Sequence, residues 1–463
     1  MPGHKGRYTI PKLPIDFYEG KNTPSERKRA EESGALEEVM KYDITEIDGA
    51  DYLSAPSGII AESEANAGKL FGCSTFYSAE GSSLCIRAMM FLIKKYAKQK
   101  GHEPFVLAGR NAHSSFVNAC AVLDIDVEWI MQKERDSYET CSITGEELET
   151  MLTLVSKLPD AVYVTSPDYL GNMLNIKELA EVCHKHGIIL LVDNAHGAYL
   201  KFLKGSLHPM DLGADICCDS AHKTLPVLTG GAYLHIASAR SFFVRNARQA
   251  LSLFATTSPS YLILQSLDLC NDYLENNTTI LETADKVKAL KEKLTAAGYY
   301  LIGNEPLKVT LLGSWAGKMT EYLKSSDIYV EYHDEEHIVL MFSGNTSDED
   351  FRKVENALLS FPSKLKDGQS LKEDNYRPEQ EESFCQDKDI SSRKKTPIKA
   401  MSFMEAMMVP SEMVSVKDSI GRILAQPVLN CPPCVPVYMC GEVIGEDILS
   451  YCSRDTKITV VAL

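Results

Sequence analysis

Residues 214–234 read ADICCDSAHKTLPVLTGGAYL, and the placement of Lys223 within them decides how the chain is read. An apolar run of strand character breaks at Ser220-Ala221-His222-Lys223-Thr224 and resumes after Gly230-Gly231, which predicts a tight connection between two strands with Lys223 on it. An amine flanked by a second potentially cationic group, His222, in an apolar neighbourhood that disfavours its charge, is the kind that forms Schiff bases with carbonyls. An ordinary solvated loop lysine fits the same local sequence, so the choice rests on the segment upstream.

That segment, 188–200, reads IILLVDNAHGAYL. Its apolar run predicts a buried parallel strand ending in Asp193, and ligands of open α/β sheets bind outside the carboxyl ends of such strands. An aspartate there also serves as a turn or helix cap, which the residue alone leaves open. Together with Lys223 it matches the pair that a pyridoxal phosphate site needs: a lysine for the aldehyde, and an acid that keeps the pyridine nitrogen protonated so that the ring acts as an electron sink. Glu80-Gly81-Ser82-Ser83 precedes the helical run LCIRAMMFLIKKYAK. Free N–H groups, hydroxyls and the helix dipole favour an anion there, although capping by Ser82 or Ser83 explains the same residues. His113 stands between a strand-like run and a short helix, a place that suits a structural histidine as well as a catalytic one. His196, three residues beyond Asp193, either touches a ligand or orders its loop through a hydrogen bond.

SAHKTLPVLTGGAYLH at 220–235 resembles the cofactor-lysine motif of the bacterial ornithine/lysine/arginine decarboxylases. MPGHKG at 1–6, DITEIDGADYL at 43–53, VDNAHGAYL at 192–200, TTSPSYL at 256–262 and NCPPCVPVYMCGE at 430–442 agree in that family's order, so the resemblance covers nearly the whole chain. It implies a pyridoxal 5'-phosphate enzyme of the aspartate-aminotransferase type of fold that decarboxylates arginine, lysine or ornithine to a polyamine precursor and carbon dioxide. The cofactor pair alone would serve an aminotransferase or lyase of the same fold equally well. By resemblance, Lys223 carries the cofactor, Asp193 holds the pyridine nitrogen and His113 stacks on the ring. Gly81, Ser82 and Ser83 take the phosphate, with Ser220 and His222 in the same cofactor set. Lys223 or His222 returns a proton to the α-carbon, and His196 lies at the cofactor edge or the substrate carboxylate. Thr257 and Ser258 reach across a dimer interface to the other subunit's phosphate. His4 lies near the site entrance, and Glu442 is the candidate partner for the substrate's distal cation. The chain departs from the family where Glu80 replaces a frequent Asn, Ser114 a frequent Lys and Cys434 a Gly.

The rest of the chain bounds these expectations. Its 463 residues, 44% of them hydrophobic, alternate strand and helix runs, which predicts an α/β fold with a mostly parallel sheet flanked by helices and a smaller α+β domain. The expected division is a cofactor-binding large domain with an N-terminal arm over 1–300, a small domain over 301–362, a charged linker over 363–398, and a C-terminal part of the small domain over 399–463. A net charge of −16 argues against a nucleic-acid partner and suits a cationic small substrate. With neither a membrane-length apolar stretch nor a signal-peptide core, the expected location is the cytoplasm, as a homodimer or a larger assembly of dimers. Thirteen scattered cysteines fit reduced thiols better than a disulfide framework. Cys431-Pro432-Pro433-Cys434 has redox or zinc spacing, but zinc wants a second pair and a redox motif wants a helix start, so no metal is expected.

Overall fold

The computed structural model of the protein describes residues 39–133, 137–276, 278–361, 397–430 and 432–462. His4, Cys431 and nearly all of the charged linker expected over 363–398 fall outside them.

The described chain enters through α1 (Ile59–Phe71) and β1 (Ser74–Ser78), after which α2 (Gly81–Gln99) opens a strand–helix alternation. It continues through β2 (Phe105–Gly109), α3 (Ser114–Leu123), β3 (Asp126–Ile130), α4 (Gly145–Leu154) and β4 (Ala161–Thr165). Then come α5 (Ile176–Lys185), β5 (Ile189–Asp193), β6 (Ile216–Asp219), the one-turn helix α6 (Ala221–Thr224) and β7 (Ala232–Ile236). These seven strands form one sheet in the order β1-β7-β6-β5-β4-β2-β3. Every pairing from β3 through β6 is parallel, and β7 runs antiparallel to both β6 and β1. The carboxyl ends of β1, β2, β4, β5 and β6 therefore share one edge of the sheet.

Apolar residues in unbroken runs let both faces be covered. Ile189 and Leu191 of β5 pack with α2 and α3 on one side, while Leu190 and Val192 pack with α4 and α5 on the other. The helix starts follow their caps: Thr144 and Glu147 close a capping box at α4, and Asn175 caps α5. In α1, the polar Ser63 and Glu64 are buried among the apolar residues of the helix. Ser63 bonds Tyr77, and Glu64 accepts the Tyr77 N–H and pairs with Arg248.

α7 (Ser241–Ser252), α8 (Tyr261–Asn276) and α9 (Thr279–Ala296) lead out of the sheet, and Gly298 at φ 81° takes the left-handed turn that ends the last of them. A four-stranded antiparallel sheet follows, ordered β10-β11-β9-β8 from β8 (Tyr300–Ile302), β9 (Lys308–Leu312), β10 (Tyr332–His333) and β11 (His337–Met341). α10 (Ala316–Ser325) and α11 (Asp348–Ser360) belong to the same unit. β10 is only two residues long, because only Tyr332 and His333 pair with β11.

The C-terminal residues do not pack on this small sheet as expected; they return to the large one. Phe403, Met439 and Cys440 join the core beneath α2 and α3, and Lys399 pairs with Asp126 on β3. Ten described cysteines are free thiols, but Cys434 is disulfide-bonded, which corrects the expectation of reduced thiols at that position. Among the described residues no helix is long and apolar enough to cross a membrane.

Candidate active site

The shared sheet edge collects the polar residues that follow each strand. Lys223 sits on α6 just beyond β6, with its amine 3.2 Å from His196 Nε2. Burial pushes the Lys223 ammonium below its usual range, partly opposed by the Asp193 and Glu331 carboxylates. It is thereby closer to the neutral amine that attacks a carbonyl. His196 is buried and pushed far toward its neutral form, first by desolvation and then by the Lys223 charge. Because its Nε2 faces the lysine donor, the ring proton belongs on Nδ1, and that buried atom has no hydrogen-bond partner among the described residues.

Asp193 ends β5 and is 2% exposed. The Tyr163 hydroxyl donates to its Oδ2 at 3.0 Å, the Ala195 N–H to its Oδ1 at 3.2 Å, and the Cys218 thiol lies 3.6 Å from Oδ1. These neutral donors hold the carboxylate without neutralising it, so its charge is free to meet a cation. Tyr163 escaped sequence reading, since a tyrosine in a buried strand reads as core and only its register beside β5 gives it away. Thr165, opposite Asp193 in that register, keeps a buried hydroxyl without a partner among the described residues.

His113 caps α3: the Ser115 N–H donates to its Nδ1 at 3.1 Å, which leaves the proton on Nε2. Burial keeps the ring neutral. Ser115 also donates to Ser83 Oγ at 2.7 Å, and Ser220 donates to Ser82 Oγ at 2.7 Å. Four hydroxyls thus meet at the first turn of the 19-residue helix α2, where the N–H groups and the dipole add positive potential. Neither Ser82 nor Ser83 is engaged as a helix cap, since the N-cap is Glu80 and no side chain caps it. Glu80 instead accepts the Thr256 N–H at 2.7 Å, tying the segment that carries Thr257 and Ser258 to the residue before Gly81. His222 turns away, with Nδ1 on the Gly231 carbonyl at 3.0 Å.

The structure thus brings Lys223 to His196, and Ser82, Ser83, Ser220 and His113 to one cluster. Glu442 is placed differently from expectation. It is 3% exposed, its Oε2 accepts from Arg110 at 3.0 Å and from the Met439 N–H at 2.7 Å, and Arg110 also holds the Pro436 carbonyl at 3.0 Å. A substrate cation would have to displace a guanidinium already in place, so Glu442 is a brace for the C-terminal segment. Besides Asp193, the carboxylate whose charge reaches the Lys223 amine is Glu331, which nothing in the sequence pattern marks apart from a surface charge.

These residues fit pyridoxal phosphate: a depressed lysine amine, a buried carboxylate without an ion-pair partner among the described residues, and a hydroxyl-lined helix start belong on one sheet edge, and His196 and Thr165 beyond the same strands keep buried polar atoms without a partner among the described residues. Residues 33–309 match the family model "Orn/Lys/Arg decarboxylase, major domain". Arginine decarboxylase of Bacillus subtilis is 29% identical over 440 residues, covering 90% of this chain and 85% of the relative. The constitutive lysine decarboxylase of E. coli shares the fold with a TM-score of 0.71 at 15% identity, over 99% of this chain and 81% of that one. SPT with pyridoxal phosphate as its internal aldimine matches at a TM-score of 0.53 and 16% identity, over 66% of this chain and 76% of that one.

Proposed function

The chain belongs to the Orn/Lys/Arg decarboxylase family, and from that premise we propose that it removes the α-carboxylate of a cationic amino acid, arginine before lysine and ornithine, with pyridoxal 5'-phosphate as cofactor. The single observation that carries this reading is the buried pair at the ends of neighbouring parallel strands, Lys223 after β6 and Asp193 on β5. The similarity to an arginine decarboxylase over 90% of the chain favours arginine.

When bound, the cofactor supplies an electron sink for the bond to the departing carboxylate. Lys223 is the residue to hold it covalently, Asp193 is the charge to meet its pyridine nitrogen, and the Ser82, Ser83, Ser115 and Ser220 hydroxyls are the donors for its phosphate. His113, neutral and with its proton on Nε2, offers a flat face and one donor. Loss of carbon dioxide leaves one proton to be added at the α-carbon. Lys223 is the candidate to deliver it, since burial makes its ammonium a weaker hold on the proton. His222 is less suited, because its Nδ1 is committed to the Gly231 carbonyl.

The same reading makes the protein a cytoplasmic homodimer, or an assembly of dimers, that feeds polyamine synthesis. In it Thr257 and Ser258 add phosphate donors across the interface. Incubation with arginine, lysine and ornithine supplied separately, with and without a keto acid acceptor, tests the activity. Amine product independent of the acceptor supports decarboxylation, whereas conversion only with the acceptor would make the protein an aminotransferase.

A further inference from the structure

β4 ends beside Asp193, and the loop that follows it is held by the small domain. Consecutive carbonyls of that loop accept from residues 304–310: Asp168 and Tyr169 from the Lys308 amine at 3.0 and 3.3 Å, Leu170 from the Thr310 hydroxyl at 2.7 Å, and Gly171 from the Asn304 and Glu305 N–H groups at 2.9 Å each. Lys308 is 2% exposed, and its amine donates to no carboxylate among the described residues. Two acids whose charge reaches it are engaged elsewhere. Asp168 accepts the Asn172 N–H and side-chain amide, both at 2.8 Å, and Glu305 accepts the Tyr199 hydroxyl and the Leu307 and Lys308 N–H groups. A lysine suits this place because it reaches from β9 to two adjacent carbonyls. Their dipoles, and the Tyr169 ring face with its centroid 5.8 Å from Nζ, offset the desolvation of its charge.

The grip passes on to the site. The Tyr169 and His196 rings meet nearly perpendicular at 85°, with centroids 5.3 Å apart, and His196 Nε2 lies 3.2 Å from Lys223 Nζ. His196 Nδ1 has no hydrogen-bond partner among the described residues, which leaves Tyr169 to set the orientation of the ring.

We propose that Lys308 is a positioning residue for the reaction: by holding loop 168–171 from the small domain it seats Tyr169 on His196, and so fixes His196 as the acceptor facing the Lys223 amine. This role rests on the cofactor reading above. Charge supports it. Burial pushes the Lys308 ammonium below its usual range, opposed by Glu305 and Asp168, with Lys223 lowering it further and Glu331 opposing. His196 is driven to its neutral form first by burial, then by the Lys223 and Lys308 charges, with His113 and His222 adding to them. The Tyr169 phenol is pushed above its usual range by burial and Glu331 and stays neutral, while Asp193, Glu331 and Cys218 favour the charged form of Lys223. Lys308 thus adds positive charge as well as a grip, and that charge keeps His196 from competing for the proton on Lys223.

The pH dependence of the bound cofactor's visible absorbance in the holoenzyme tests it. Lys308→Met removes the charge and both hydrogen bonds, so the midpoint should move to higher pH, because the nitrogen that Lys223 contributes becomes easier to protonate. The same variant should lower kcat about 10- to 100-fold with KM for arginine little changed, the scale of a misplaced reacting group. Thr310→Val loosens the same loop at Leu170 without altering charge, and its midpoint should stay at the wild-type position. Tyr169→Leu removes the seated ring and should lower kcat likewise, again without the shift. In the wild type, NMR of isotope-labelled histidine should show His196 neutral, with its proton on Nδ1, wherever the protein is folded. The last two measurements decide the matter should Lys308→Met not fold. An unmoved midpoint in Lys308→Met, an equal shift in Thr310→Val, unchanged kcat in Tyr169→Leu, or a His196 that titrates like an exposed histidine would overturn the assignment. Wild-type protein that takes up pyridoxal phosphate yet releases no carbon dioxide from arginine would overturn the decarboxylase reading alone.

Discussion

Burial lowers the pKa of Lys223, and neutral donors surround the Asp193 carboxylate; the proposed function assigns cofactor binding to the first and electronic control to the second. Lys223→Ala should abolish the visible absorbance of the bound cofactor and almost all turnover; retention of wild-type activity would remove Lys223 from the chemistry. Asp193→Asn should keep the cofactor bound and lower kcat by about 10²–10³-fold, the scale on which a preorganised charge acts. Equal kcat in that variant would reassign Asp193 as a turn cap. Both residues were legible because each is a polar residue at the end of an apolar strand, which the pattern alone locates. Tyr163 and Glu331 were not, since their partners, Asp193 and Tyr169, are 30 and 162 residues away and only the fold brings them together.

At the scale of elements, the end of β6 is anchored from below. Asp219, fully buried, accepts from His208 at 2.9 Å, His235 at 3.1 Å and the Asn194 amide at 2.7 Å, and the Cys217 thiol lies 3.5 Å away. His208, Cys217 and Asp219 have metal-like proximity, yet every acceptor site of the carboxylate is filled by these donors, so the cluster is a closed hydrogen-bond network. It ties Asn194 after Asp193 to Ser220 before Lys223. Burial alone would raise the Asp219 pKa, but His208 and His235 hold it well below the carboxylate range, and burial depresses His235. A depressed carboxylate stabilises the fold above its unfolded pKa and loses that contribution as pH falls. A depressed histidine loses stability below its own unfolded value. Both signs agree, so stability should decline from about pH 6.5 downward and further below about pH 4. Asp219→Ala should cost about 3–5 kcal/mol at neutral pH and flatten the lower part of that profile in urea titrations. The C-terminal segment has a similar anchor: Glu442→Gln should lower stability and leave the KM for every cationic substrate unchanged, whereas a raised KM without loss of stability would return Glu442 to the substrate. The short β10 was not legible in the sequence, because its pairing is decided by β11, and the docking of residues beyond 399 was invisible because Arg110 and Glu442 meet across 332 residues.

For the whole molecule, the segment with Thr257 and Ser258 is held beside the phosphate cradle by Glu80, and the proposed dimer lets it serve a neighbouring site. Mixing Lys223→Ala chains with chains disrupted at Thr257 and Ser258 should then restore some activity, because one site of each mixed dimer receives both intact halves; absence of complementation in mixed dimers that demonstrably form would confine each site to one chain. The mostly parallel sheet flanked by helices was legible from the alternation of runs. The return of the C-terminal residues to the large sheet was not, since that packing depends on contacts far apart in sequence. The central claim is decarboxylation with a proton returned to the α-carbon, and it is tested most directly by turning over arginine in deuterium oxide while measuring carbon dioxide and amine together. The account predicts equal amounts of the two, with one deuterium at the carbon that bore the carboxylate and no turnover in Lys223→Ala. Keto acid in place of carbon dioxide, or amine without the deuterium, would contradict it.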